Sequence, residues 1–177
     1  ANYLKLAFKR PVVTFALLAA NHSDNNLNLA GCTDALGANN LTVGLAANTN
    51  ACSIDVASGQ SISQTAGTTT IATSAVGTAT ISGGIAGGTV TFFNLSFDKS
   101  TTVSTAATYV LGSTAGQTIR ADGTLTVATG AGTGTATATA SANNPILDVN
   151  TDVTISASGT LVSPGSSAFT FAVSWPN

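Results

Sequence analysis

The chain has no glutamate and no methionine, one histidine (His22), one tryptophan (Trp175) and two cysteines (Cys32 and Cys52) in 177 residues. Charged residues make up 7% of it, against about 25% in an average soluble protein. Each shortage excludes something. Glu and Met are absent and Lys plus Arg number five, so the strong helix formers are nearly missing. A net charge of −2 and a pI near 4.8 leave no clustered cations for nucleic acid. No eighteen-residue apolar run is present to cross a membrane as a helix.

Catalysis fares no better. A Ser-His-Asp triad would need His22, which sits in the Asn-rich stretch Asn21–Asn26 with no nucleophile-elbow pattern around any Ser. Paired carboxylates would have to come from seven scattered Asp. Neither standard Gly-rich phosphate loop occurs. Asp148-Val149-Asn150-Thr151-Asp152 opens like a calcium loop, but its twelfth position is Gly159 and its sixth is not Gly. Residues 146–157 read instead as one strand with a polar, acidic face. The sequence predicts no enzyme, no cofactor and no metal site.

What the chain does have is Ala and Thr, thirty of each. Thr and Val favour strands, and from Ser53 onward strand-like runs alternate with Gly, Asn and Pro turns. Candidate strands are 53–57, 69–75, 78–82, 89–98, 103–111, 124–129, 133–140, 146–157 and 167–175. Turns every eight to fifteen residues predict an all-β fold, an antiparallel β-sandwich or jelly roll. The spacing is too irregular for a solenoid repeat. Phe93, Leu95 and Phe97 are expected on one face of a central strand, and Phe169, Phe171, Val173 and Trp175 on another. Thr133–Ala140 has only Ala on its inward face and reads as a thin edge or an empty groove.

The first twenty residues stand apart. Leu4, Leu6 and Phe8 alternate with Tyr3, Lys5, Ala7 and Lys9, the period of a strand with one buried face. Lys5, Lys9 and Arg10 give residues 1–10 a net +3, whereas two cations and seven Asp give residues 11–177 a net −5. Lys9-Arg10 followed by Val12–Ala20 also imitates a signal peptide, although Pro11 opens the short apolar run. The chain begins at Ala1, as a processed protein would. The expected division is residues 1–20 as an arm and linking strand, and 21–177 as the body.

Cys32 and Cys52 would close a loop of about twenty residues, a bridge contributing roughly 3 kcal/mol in the loop-entropy model; two buried free thiols are the other reading. Asn21-His22-Ser23, Asn40-Leu41-Thr42 and Asn94-Leu95-Ser96 match the N-glycosylation pattern, with Asn40 and Asn21 favoured by loop context. Low charge and these acceptors point to an oxidising, extracellular setting. Lys99, after Asp98, could enter an isopeptide bond but reads more simply as a charged strand end.

The arm Leu4, Leu6, Phe8, the Thr/Ala/Gly/Ser-rich β body, the Cys32/Cys52 pair and the alternating Phe169, Phe171, Val173, Trp175 together resemble donor-strand-complemented extracellular filament subunits. Archaeal thread and bundling-pilus subunits and TasA-like biofilm fibre proteins are the nearest groups. Chaperone–usher pilins are a second comparison, from which the ending Trp175-Pro176-Asn177 departs. The resemblance implies a pilin-like subunit of a cell-surface homopolymer. In it Leu4, Leu6 and Phe8, joined by Val13 and Phe15, would fill a neighbour's pockets, and Lys5, Lys9 and Arg10 would meet its acidic surface. Its partners would be other copies of itself and N-linked glycans. A monomeric adhesin or carbohydrate-binding module is the alternative, with exposed aromatics as its mark. A viral jelly-roll capsid protein is a third.

Overall fold

A computed structural model describes residues 14–16, 21–24, 26–28, 33–43, 53–55, 62–72, 78–82, 88–99, 106–112 and 114–171. These form strands and turns and, among the described residues, no helix. The first rung is β1 (Thr14–Ala16), β2 (Asn21–Asp24) and β3 (Asn26–Asn28); the second is β4 (Thr33–Gly37), β5 (Asn40–Val43) and β6 (Ser53–Asp55). The third is β7 (Ile62–Gln64), β8 (Thr68–Ile71) and β9 (Thr78–Ser82), and the fourth β10 (Thr89–Phe92), β11 (Asn94–Asp98) and β12 (Ala106–Leu111). The fifth is β13 (Thr118–Ala121), β14 (Leu125–Thr129) and β15 (Thr135–Thr139); β16 (Ile146–Val149), β17 (Val153–Ile155) and β18 (Gly159–Val162) make the sixth, and β19 (Phe169–Phe171) follows.

Every pairing joins a strand to the strand three places on, always in parallel. Sheets run β2-β5-β8-β11-β14-β17, β3-β6-β9-β12-β15-β18, β1-β4-β7 and β10-β13-β16-β19, with β7 lying against β10. The molecule is a parallel β-solenoid with three strands to a rung. This overturns the antiparallel sandwich or jelly roll expected from the sequence. Alternation of inward apolar and outward polar residues is the same in both architectures, and a corner that bends the chain uses the same Gly and Asn as a hairpin that reverses it. The repeat is hidden because rungs differ in length. Thr14 opposes Thr33, nineteen residues on, whereas Leu95 opposes Leu125, thirty on.

Two candidate strands also break at corners. Run 89–98 splits at Phe93 into β10 and β11, so Phe92, and not Phe93, joins Leu95 and Phe97 in the core. Run 146–157 splits at Asn150–Asp152 into β16 and β17, on different sheets.

The core is a set of columns running across the rungs. Val43, Ile71, Phe97 and Val127 stack in register, all buried. Val90, Ile119 and Leu147 form a second column, and Phe92, Ala121 and Val149 a third, pairing large with small. Each fully buried large side chain stabilises by roughly 1.5–3 kcal/mol. Tyr109 is buried, its ring centroid 4.9 Å from that of Phe97, and its hydroxyl donates to Asp98 O at 2.6 Å.

Tyr109 explains the alanine strand. Its register neighbour on β15 is Ala138, and that small residue leaves space for the ring. Ala136, Ala138 and Ala140 are fully buried, and β15 lies between β12 and β18. It is therefore neither an edge nor a groove, which corrects the sequence expectation. Phe169 and Phe171 differ from expectation too: they stand in the last described rung, with Phe171 53% exposed.

Candidate interaction surfaces

The corner before the β5-β8-β11-β14 sheet is held by side-chain amides acting from one rung to the next. Asn40 Oδ1 accepts from Thr68 N at 2.8 Å. Asn94 Nδ2 donates to Gly67 O at 2.9 Å, and its Oδ1 accepts from Thr124 N at 2.9 Å. A Cβ on Gly123 would run into that Oδ1 and stand 3.0 Å from Phe93 O. Only glycine leaves the amide its place. Gln64, 5% exposed, brackets three rungs: Nε2 donates to Asn39 O at 2.8 Å, and Oε1 accepts from Thr69 Oγ1 and Phe93 N, each at 3.2 Å. At another corner Asn143 Nδ2 donates to Gly112 O at 2.7 Å, and Asn144 Oδ1 accepts from Gly165 N at 2.7 Å. Corner backbone groups that stacked sheets cannot pair are satisfied this way.

Arg120, Asp122 and Asp148 form a charge cluster at one corner. Arg120 Nε meets Asp122 Oδ1 at 2.6 Å, and its guanidinium reaches Asp148 Oδ2 at 3.4 Å. Asn150 Nδ2 also donates to Asp122 Oδ1 at 2.9 Å, and Thr170 Oγ1 to Asp148 Oδ1 at 2.8 Å. The hydrogen bond Arg120 donates to Asp122, then the Asp122 charge, raises the Arg120 pKa above its ordinary range, and Asp148 adds to this. Asp98 is likewise occupied, accepting from Thr129 Oγ1 at 2.7 Å beside a bulge. The bulge places buried Ala128 at φ 67°. Among the described residues no three His, Cys, Asp or Glu stand together as metal ligands.

Two surfaces remain. At the C-terminal edge β17, β18 and β19 each have, among the described residues, a sheet partner on one side only, and Ile155 and Phe171 are 47% and 53% exposed. In the column above Ile155, Val127 is wholly buried. The second surface is the outer face of the β12-β15-β18 sheet, which presents Thr108, Val110, Thr135, Thr137, Thr139, Thr160 and Val162 and no formal charge.

Of the arm residues, Leu4, Lys5, Leu6, Phe8, Lys9, Arg10 and Val13 lie outside the described residues, as do Cys32 and Cys52. Phe15 falls in β1, opposite Asp34 of β4, so part of the expected arm pairs with the second rung. Of the glycosylation candidates, Asn21 stands opposite Asn40, Asn40 is exposed, and Asn94 has both amide atoms engaged. Asp148 and Asp152 sit on either side of the Asn150 corner. Buried Gln64 and Gln117 escaped the sequence reading. The signal that marks the corners is Gly-Thr, which recurs at Gly67, Gly77, Gly88, Gly123 and Gly134 just ahead of strands and at Gly159 as the first residue of β18.

No family model matches the chain, and neither a curated protein nor a solved structure matches it.

Proposed function

We propose that this protein is a structural, non-catalytic subunit of an extracellular homopolymeric filament, joined head to tail through its N-terminal segment. The observation that supports this most is the C-terminal edge, where β17, β18 and β19 are paired on one side only among the described residues and Ile155 and Phe171 are exposed. Unpaired parallel edges accept further strands. In a solenoid the accepting edge lies along the stacking axis, so a neighbour's N-terminal strands can continue the sheets without a cleft. Such a contact is heterologous and does not close, which gives a filament.

Charge favours the same pairing. Lys5, Lys9 and Arg10 precede the first Asp, Asp24, whereas Asp122, Asp148 and Asp152 follow the last cation, Arg120. Opposite charge at the two ends steers copies head to tail and opposes head-to-head contact. A hydroxyl- and amide-rich coat, with glycan on Asn21 or Asn40, would keep the weakly charged filament soluble.

Deletion of residues 1–10 tests the arm. Sedimentation is expected to show folded subunits that no longer polymerise; polymers of the truncated chain would refute the arm's role.

A further inference from the structure

We propose that the outer face of the β12-β15-β18 sheet binds ice, a role independent of filament assembly. Two columns of short β-branched side chains cross this face. Thr108, Thr137 and Thr160 form one, and Val110, Thr139 and Val162 the other. The pairing of β12, β15 and β18 runs without a bulge, unlike the β11-β14 pairing.

Strands in a sheet lie about 4.8 Å apart, and every second residue along one recurs after about 6.6 Å. The columns therefore set out a rectangular array of methyls and hydroxyls, with repeats close to those of oxygen atoms on a prism face of hexagonal ice. β-Branched side chains are stiff at χ1, so the lattice costs little ordering. Methyl groups separate the waters into cages, and hydroxyls anchor the cages to the protein.

The hydroxyls are also free to do this. Those of Thr108, Thr137 and Thr160 make no hydrogen bond within the described residues, and Thr139 meets only Ser141 Oγ at 3.0 Å. Elsewhere outward hydroxyls are used inside the molecule, as in Ser96 with Thr129 at 2.6 Å and Thr170 with Asp148. Charge decides between faces: Asp98 and Asp152 flank the β11-β14-β17 sheet and Arg120 and Asp148 stand on the β13-β16 sheet, whereas β12, β15 and β18 carry none. A neutral face suits a neutral lattice. The face also lacks an aromatic ring for stacking a sugar, since Tyr109 points into the core, so a polysaccharide is disfavoured.

The test is nanolitre osmometry on the full chain, with ice recrystallisation followed in parallel. The wild-type protein is expected to shape ice crystals and hold their growth below the melting point. Thr137→Lys and Thr160→Lys, each folded by circular dichroism, are expected to lose most of that activity. Thr126→Lys on the neighbouring sheet is expected to keep it. The proposal is overturned if the wild-type chain leaves ice unshaped, if Thr126→Lys loses as much as Thr137→Lys, or if the face retains insoluble cellulose and not ice.

Discussion

Asn94 shows how much one residue can do at a corner. Its amide satisfies a carbonyl on the rung before and an N–H on the rung after, and its position in an acceptor triplet gives no hint of this. Asn94→Ala strands both backbone groups in a half-buried place, and a buried group left unpaired costs about 1–3 kcal/mol. Urea unfolding should report a loss in that range. Asn94→Asp keeps the acceptor and loses the donor, and should fall between the two. The same engagement predicts that glycan, where attached, is found by peptide mapping on Asn21 or Asn40 and not on Asn94. Arg120 offers the opposite lesson. Its raised pKa means that its stabilising contacts are complete below the unfolded value and fade only as pH climbs through that strongly alkaline range. Stability between pH 6 and 9 (about neutral) should therefore not respond to Arg120→Gln through a titration.

At the level of elements, β15 separates the solenoid from the sandwich most clearly. Were Thr133–Ala140 an edge above an empty groove, a larger residue at Ala138 would fill space and be harmless or helpful. In the solenoid Ala138 lies beside Tyr109 with no room. Ala138→Leu should cost about 1–3 kcal/mol by overpacking, read as a shift of the denaturant midpoint at unchanged slope. Strand content was legible in the sequence because the Thr, Val and Ala alternation of β12, β14 and β15 marks inward and outward faces directly. The direction of pairing was not, since pairing depends on whether a turn bends or reverses the chain, and Gly and Asn serve both. The Gly-Thr pairs at Gly67, Gly77 and Gly88, ten and eleven residues apart, are the trace of three corners to a rung. Loop insertions then blur the repeat over the next rungs. The surfaces were legible only in part: the basic N-terminal segment stands out by charge, whereas the exposed last rung and the threonine columns depend on register, which a sequence does not display.

For the whole molecule, the central matter is how copies meet. The proposed head-to-tail contact between a cationic first segment and an acidic C-terminal edge should weaken with salt, because exposed charges are screened beyond about 8 Å at physiological ionic strength. Light scattering should show slower assembly at high salt, and Phe171→Asp should slow it further by adding charge where an apolar contact is needed. The most direct measurement is X-ray diffraction from aligned filaments. Axial stacking of parallel rungs sets the strands across the filament and predicts a reflection near 4.8 Å on the meridian. Absence of filaments, or filaments whose 4.8 Å reflection lies off the meridian, would contradict the account.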